Sequence, residues 1–278
     1  MSGFLAVVAL IGYFVSYYYQ SPSLLYGALI FAVGMNFYSY WFSDRQVLRM
    51  TNAKPATRDE YFDFYTVMEN LSITSGMQMP KLYVIQDDAP NAFATGRDEK
   101  HAVVCATTGL LSIMTRPELE GVMAHELSHV KNRDILLMTV AVVLAGFVAI
   151  VADMFLRISM FGGGNRDNDS KAGGILMIVG IVAIVLAPIA AQLIQLAISR
   201  RREFLADASG ALLTRYPEGL ASALQKISAY ARPMASANHA TAHLFIGNPF
   251  GSKSKDFINR MFSTHPPTEE RVRALLGK

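Results

Sequence analysis

The chain has 278 residues, of which 52% are hydrophobic and only 17% are charged. Soluble domains carry about 25% charged residues, so this composition excludes an ordinary soluble protein and indicates membrane segments. The formal net charge of +3 is too small to indicate a partner nucleic acid. Because Cys105 is the only cysteine, an internal disulfide is excluded, which favours a reducing compartment.

Two apolar runs, residues 4–19 and 22–42, open the chain. A bilayer core needs roughly 20 mostly apolar residues in a helix. The second run reaches this length and the first is marginal. The first run has no positively charged start and ends in tyrosines rather than in a small-residue cleavage site, which excludes a typical signal peptide. We predict a retained transmembrane hairpin over residues 1–42.

The first polar region, residues 43–134, combines helical and β patterning. The segments KLYVIQ (81–86) and HAVVCAT (101–107) have the composition of strands. A T-x-x-E capping box at Thr115 and Glu118 then predicts the start of a helix that continues through the sequence HELSH. This region is therefore predicted to be the first part of an α+β domain.

Two longer apolar runs, residues 135–156 and 174–198, are each long enough to cross a bilayer. The glycine-rich segment 162–174 between them is predicted to be an exposed, flexible linker. A second polar region, residues 199–278, begins with two helical stretches that separate near Pro217. The predicted fold class is an α-helical integral membrane protein with about four transmembrane helices and one α+β domain, which the two polar regions assemble.

The distribution of basic residues predicts the orientation in the membrane. Of the 25 lysines and arginines, ten lie in residues 43–134 and twelve in residues 199–278. The loop between the third and fourth apolar runs holds three, and the loop of the first hairpin holds none. Because basic residues beside membrane segments stay in the cytoplasm, the α+β domain is predicted to be cytoplasmic.

The sequence HELSH at residues 125–129 carries the clearest chemical signal. On a helix, His125 and His129 lie one turn apart on the same face, so their ring nitrogens can converge on one metal ion. Zinc accepts imidazole, and a site with three protein ligands keeps its fourth position for water. Glu126 lies beside the metal and can take the proton of that water. The pattern predicts a catalytic metal site.

The third ligand has to come from another part of the chain. The favoured candidate is Glu203, since Asp207 lies four residues later on the same helical face. One of these carboxylates can bind the metal while the other accepts a hydrogen bond from a ligand imidazole. The alternative ligands are His239 and His243 in NHATAH. Their segment lacks a helical apolar pattern, and no carboxylate adjoins either histidine.

Several motifs together resemble the HtpX-like membrane-integrated zinc metalloproteases, which are relatives of the prenyl-protein (CAAX) proteases. The resemblance covers nearly the whole chain, and this order of motifs is highly specific. The motifs are PNAFATG (90–96), HELSHVKNRD (125–134), RREFLADASG (201–210), TAHLFIGNPF (241–250) and FSTHPPTEERV (262–272). The resemblance implies a cytoplasmic zincin-type metalloprotease domain with a gluzincin metal site.

The resemblance also implies a role for each residue of that site. His125, His129 and Glu203 are expected to bind one Zn²⁺ per chain. Glu126 is expected to be the catalytic general base. Asp207 is expected to support one of the metal ligands without binding the ion itself.

Substrate contacts are implied as well. Asn91, Ala92 and Phe93 are expected to lie on an edge strand that accepts the substrate peptide by strand addition. His265 and Arg271, in an H-P-P-x-x-x-R arrangement, are expected near the cleft, where they would stabilise the oxyanion or bind a substrate carbonyl. From the residues alone, His265 fits a turn before two prolines equally well, and Arg271 fits a surface charge.

The implied function is proteolysis at a membrane. Misfolded or damaged membrane proteins and other unfolded polypeptides are the expected substrates, in protein quality control and the stress response. The expected location is the bacterial inner (cytoplasmic) membrane, with several spans in the lipid bilayer and the active site facing the cytoplasm. A prenyl-protein protease is one alternative, although it is expected to have more spans. A second alternative is a scaffold whose zinc has four protein ligands and no need of Glu126.

Overall fold

The computed structural model of the chain contains two compact units. The first comprises residues 1–42 and 143–193, and the second comprises residues 43–142 and 194–278. The structure describes residues 8–9, 12–13, 16–17, 20–140, 200–230, 232–235, 237, 241–251 and 266–277. Several predicted features lie wholly or mostly outside these residues, namely the spans at 4–19, 135–156 and 174–198, the linker at 162–174, His239 and His265.

The predicted span at residues 22–42 lies within helix α1 (Pro22–Met50). In the described part of the chain, no helix combines the length and the hydropathy needed to cross a membrane, and this holds for α1 as well. The predicted number of transmembrane helices is therefore not confirmed.

The second unit contains a sheet of four short strands, which are β1 (Lys54–Pro55), β2 (Lys81–Ile85), β3 (Ala92–Thr95) and β4 (Val103–Thr107). Their order is β1-β2-β4-β3, with β2 and β4 parallel and β3 antiparallel to β4. The strands expected from KLYVIQ and HAVVCAT are thus β2 and β4. All five residues of β4 are buried, Cys105 included. Strand β3 lies at the edge of the sheet.

Helices supply most of the core residues of the second unit. They are α2 (Phe62–Ser75), α3 (Thr108–Ile113), α4 (Arg116–Lys131), α5 (Arg200–Thr214), α6 (Pro217–Ala229) and α7 (Thr268–Leu276), with 3-10 turns at Glu99–His101 and Ala242–Leu244. The break between α5 and α6 occurs where the sequence predicts it, since Pro217 begins the second of the two helices. Together the described helices and strands form a mixed α+β unit.

Helix α4 begins at the predicted capping box. The Glu118 carboxylate accepts hydrogen bonds from the backbone N–H and the hydroxyl of Thr115, each at 2.8 Å. The same carboxylate accepts bonds from Ser222 at 2.6 Å and from Lys226 at 2.7 Å, both on α6. One buried carboxylate therefore both starts α4 and joins it to α6.

Two glycines allow α4 to pack closely against its neighbours. A Cβ atom added to Gly121 would lie 2.6 Å from the backbone nitrogen of Leu220, just inside α6. A Cβ atom added to Gly210 on α5 would lie 3.0 Å from the backbone nitrogen of His125. The first contact is shorter than Cβ atoms show in proteins, and the second would require the backbone of α4 to shift by a few tenths of an ångström. Helix α5 can therefore approach α4 at the level of His125 because residue 210 has no side chain.

Candidate metal centre

Helix α4 presents His125 and His129 on one buried face. Their side chains are one turn apart, and their Nε2 atoms lie 3.2 Å from each other. The two rings stand nearly perpendicular, with an interplanar angle of 88°. Both residues are buried, with relative exposures of 1% and 4%. Two ring nitrogens therefore converge on one point that is shielded from water.

Glu203 reaches the same point from the first turn of α5. Its Oε1 atom lies 3.5 Å from Nε2 of His129, and its Oε2 atom lies 3.9 Å from Nε2 of His125. One donor atom from each of the three residues lies within 4.8 Å of the other two. The residues come from separate segments, 125–129 and 203, and the packing of α5 on α4 brings them together.

The donor set fits a zinc ion in both chemistry and spacing. Zinc binds imidazole nitrogen at about 2.0–2.1 Å in tetrahedral geometry, which separates two such nitrogens by about 3.3 Å. The observed separation of 3.2 Å between the Nε2 atoms of His125 and His129 agrees with this value. Two imidazoles with one carboxylate leave a fourth position open, as catalytic zinc sites do.

The outer nitrogen of His125 is held by a buried ion pair. Its Nδ1 atom lies 2.9 Å from Oδ1 of Asp207, which leaves Nε2 as the lone-pair donor. Arg271 donates two hydrogen bonds to the Asp207 carboxylate, at 2.8 and 2.6 Å. Burial lowers the pKa of His125 to about 4, although Asp207 acts in the opposite sense. The imidazole is therefore neutral near pH 7, as metal binding requires.

A second carboxylate holds the other imidazole. Nδ1 of His129 lies 3.1 Å from Oδ2 of Asp134, and Oδ1 of Asp134 lies 3.2 Å from the guanidinium of Arg202. The sequence does not single out Asp134 or Arg202. The one available signal is that Asp134 closes the HELSHVKNRD motif and that ligand histidines usually donate their other N–H to a carboxylate.

Glu126 lies next to the metal ligands and is 2% exposed. Burial raises the pKa of its carboxyl group to about 7, with nearby Glu203 adding to the rise and His129 opposing it. The backbone N–H of Ala94 on β3 also acts to lower this pKa, but more weakly than burial raises it. Glu126 therefore lies between the metal ligands and the edge of the sheet.

Arg271 is 2% exposed, which excludes the surface charge that its sequence context also allowed. In addition to its bonds with Asp207, its guanidinium lies 3.8 Å from Oε2 of Glu203. His265, six residues earlier, and His239 lie outside the described residues. His243, the other alternative ligand, is not a member of the metal-binding group. Its Nε2 atom lies 3.3 Å from the backbone carbonyl of Met138.

The residues expected to bind substrate lie at the start of β3, but other parts of the chain occupy several of their polar groups. Asn91 accepts a bond from the N–H of Gly247 at 2.9 Å and donates one to its carbonyl at 3.0 Å. The carbonyl of Ala92 accepts the N–H of Ile246 at 2.9 Å. Phe93 is fully buried, and its ring packs edge-on against Phe245.

Known proteins are similar to this chain over most of its length. The profile of peptidase family M48 matches residues 63–278. A Protease HtpX homolog from Caldanaerobacter subterraneus subsp. tengcongensis is 45% identical over 98% of this chain and 91% of its own length. A Protease HtpX homolog from Desulfatibacillum aliphaticivorans is 51% identical, over 90% and 79% of the two chains. One from Thermococcus kodakarensis is 48% identical, over 94% and 89%.

Among solved structures, the crystal structure of S. mikatae Ste24p is similar to this chain. The TM-score is 0.54 at 18% sequence identity, and the match covers 99% of this chain and 63% of that protein. At this identity the likeness shows a common fold, and the present chain spans less than two thirds of the length of Ste24p.

Proposed function

The chain belongs to peptidase family M48 and is a metallopeptidase, and we propose that it uses zinc to cleave internal peptide bonds of misfolded or damaged membrane proteins. Its membership of the family confirms the resemblance seen in the sequence. The observation that carries the proposal is the buried cluster of His125, His129 and Glu203 with Glu126 beside it. The proposed role is protein quality control in the stress response.

The chemistry follows from the arrangement of these side chains. Zinc, when bound, supplies Lewis-acid activation that lowers the pKa of water to about 7. His125, His129 and Glu203 hold the ion. Glu126, whose pKa of about 7 lies near neutrality, takes a proton from the attacking water and returns it to the departing amine. The low exposure of Glu126 strengthens these interactions because few water molecules compete for them.

We propose that the substrate backbone pairs with β3 at Ala94. The N–H of Thr107 on β4 donates to the carbonyl of Asn91. Because facing and outward groups alternate in an antiparallel pair, the backbone groups of Ala92 and Ala94 face the open edge. The carbonyl of Ala92 is occupied by Ile246, whereas Ala94 adjoins Glu126. Pairing at Ala94 would therefore bring the scissile bond beside the general base.

Asn91, Ala92 and Phe93 would then form the end of the substrate groove. The hydrogen bonds of Asn91 to Gly247 hold the adjoining chain segment against β3. A substrate that pairs beyond Ala94 in this direction has to displace that segment or turn away from the sheet. For Arg271 we propose an electrostatic effect on bound substrate, because its guanidinium lies 3.8 Å from a Glu203 carboxylate oxygen. His265 stays a proposed stabiliser of the oxyanion.

The proposed location is the bacterial cytoplasmic membrane, with several spans in the bilayer and the metal centre on the cytoplasmic side. The apolar runs of the sequence and the 22 basic residues in the two polar regions support this proposal. A metal helix that ends next to an apolar run would meet membrane-embedded substrates near the surface of the bilayer.

The test is cleavage of an unfolded membrane protein by the purified, zinc-loaded protein and by Glu126→Gln, with zinc content measured in both. We expect the variant to keep one zinc ion per chain and to lose about 10²–10⁴-fold in rate, since it lacks the proton acceptor. Glu120→Gln, a partly exposed change on the same helix, is the matched control and should leave the rate unchanged. If no form cleaves while all hold zinc, the proposed cleavage of unfolded membrane proteins is wrong.

A further inference from the structure

The buried carboxylate of Asp134 lies between a metal ligand and a cation. It is 5% exposed, and its two oxygens face different partners. Oδ2 lies 3.1 Å from Nδ1 of His129, and Oδ1 lies 3.2 Å from the guanidinium of Arg202. A buried carboxylate is costly unless it is paired and hydrogen-bonded. Both oxygens of Asp134 meet this requirement, one at the metal helix and one at α5.

The chain takes an unusual path to bring Asp134 to this place. On a straight helix, the position five residues after His129 lies about 140° around the axis, so its side chain would face away from the imidazole. Helix α4 instead ends at Lys131, and Arg133 adopts a left-handed conformation with φ 61°. A non-glycine residue in this region is uncommon and indicates a local constraint. The reversal returns Asp134 to the last turn of α4.

Arg202 connects this carboxylate to the other ligand-bearing helix. It directly precedes Glu203, the third member of the metal cluster, on α5. The Asp134–Arg202 pair therefore joins the end of the metal helix to the start of α5. In the sequence, these are also the points that flank the two apolar runs at 135–156 and 174–198.

The arrangement repeats the one behind His125 on the other side of the cluster. There Asp207 contacts Nδ1 of His125 and pairs with Arg271. Each imidazole of the cluster thus has a carboxylate behind it, and each carboxylate has an arginine. The two pairs differ in exposure, because the Arg271 side chain is 2% exposed and the Arg202 side chain is 35% exposed.

We propose that Asp134 is a positioning residue that fixes the ring orientation and tautomer of His129 for zinc, and that Arg202 positions Asp134. Asp134 accepts the Nδ1 proton of His129, which directs the lone pair of Nε2 toward the metal. Arg202 pairs with the other oxygen of the carboxylate and holds it in place. This inference rests on the proposed zinc site but not on the proposed substrate or on cleavage.

The test is zinc affinity, measured on the full-length purified protein by competition with a chromophoric chelator. We expect Asp134→Ala to weaken zinc binding about 10–100-fold, the range found for such outer partners. Asp134→Asn should weaken it less, because the amide oxygen still accepts the Nδ1 proton. Arg202→Ala should cost less than Asp134→Ala, since the guanidinium is partly exposed to solvent.

The pairing itself is tested by the double variant and by a control on the same helix. In the Asp134→Ala background, Arg202→Ala should have no further effect, since its partner is gone. Arg201→Ala changes an exposed neighbour and should leave the affinity for zinc unchanged. The proposal is overturned if Asp134→Ala binds zinc as the wild type does, if Arg201→Ala weakens binding as much as Arg202→Ala, or if the two effects simply add.

Correct folding is checked by the melting temperature of the metal-free proteins. If Asp134→Ala does not fold, Asp134→Asn and the half-exposed Arg202→Ala decide the outcome. The zinc-binding experiment does not depend on proteolysis. If the wild type binds zinc but fails to cleave substrate in the separate cleavage assay, only the proposed function is overturned. Unchanged zinc affinity in the Asp134 variants overturns the positioning role alone.

Discussion

The chemistry of the metal centre depends on single atoms of its imidazoles. Nδ1 of His125 faces Asp207, and Nδ1 of His129 faces Asp134. Both Nε2 atoms are thereby left to the metal. Burial acts to raise the pKa of Asp207, but its bonds from Arg271 and His125 prevail and lower the pKa to about 2. Asp207 is therefore ionised whenever His125 is neutral, which is the state that zinc requires.

Replacing Arg271 by alanine should destabilise the protein more than the same change at an exposed arginine. Arg271→Ala leaves the Asp207 carboxylate buried without its cation, which costs about 3–5 kcal/mol in comparable buried pairs. The exposed Arg273 on the same helix provides the control, and Arg273→Ala should change the free energy of unfolding by about 0.5 kcal/mol or less. Thermal unfolding in detergent measures both. A loss for Arg271→Ala no larger than that for Arg273→Ala would show that Asp207 does not depend on this cation.

At the scale of elements, the packing of α4 against α5 and α6 determines where the residues of the metal site lie. Helix α4 carries His125, Glu126 and His129, and α5 carries Glu203. Gly210 permits the close approach of the two helices. At the other end of α4, Glu118 holds Thr115, Ser222 and Lys226. Burial acts to raise the pKa of Glu118, but the bonds from Lys226, Ser222 and Thr115 prevail and lower it to about 2.

The bonds of Glu118 make the stability of the α4–α6 contact depend on pH. The pKa is about 2 in the folded chain against 4.5 for a free carboxyl group, so the folded state favours the ionised form. This stabilisation is complete above pH 4.5 and disappears as the pH falls toward 2. We expect Glu118→Gln to lower the free energy of unfolding at pH 7 by about 2 kcal/mol. The melting temperature should fall accordingly.

The pH series provides the control for this prediction. The difference in melting temperature between wild type and Glu118→Gln should shrink as the pH is lowered from 5 toward 3. Glu120→Gln on the same helix should show a much smaller difference at pH 7. If the Glu118→Gln difference is the same at all pH values, the contribution comes from packing and not from the charge.

The membrane arrangement belongs to the scale of the whole molecule. Within the described residues no helix meets the requirements of a membrane span. The membrane arrangement therefore stays a prediction from the sequence. The two polar regions contain ten and twelve basic residues. If both lie in the cytoplasm and the runs at 135–156 and 174–198 each cross the membrane, the linker at 162–174 lies on the opposite side.

This orientation can be measured with reporters inserted in the 162–174 linker. We expect alkaline phosphatase, which is active only outside the cytoplasm, to be active at this position. A fluorescent protein that matures only in the cytoplasm should stay dark there. Insertions after Lys278 provide the control and should give the opposite pair of signals. Cytoplasmic signals from both positions would exclude the predicted membrane crossing by residues 135–156 and 174–198.

The sequence by itself determined the features that depend on local spacing. Two histidines four residues apart share a face on any α-helix, and Thr115 and Glu118 form a capping box because they are three apart. The strands KLYVIQ and HAVVCAT were predictable from their local composition, which suits a buried sheet. Such features depend on dihedral angles and neighbours within a few residues.

Only the tertiary structure decided which distant groups meet. His129 and Glu203 are 74 positions apart in the sequence. The sequence names Glu203 as a candidate ligand, but the helix packing at Gly210 is what places it beside the histidines. Asp134 faces His129 because a left-handed residue reverses the chain. Arg271 is buried because Asp207 is there to pair with it. Contacts between distant residues depend on how all the helices and strands pack together. Local patterns in the sequence do not show that packing.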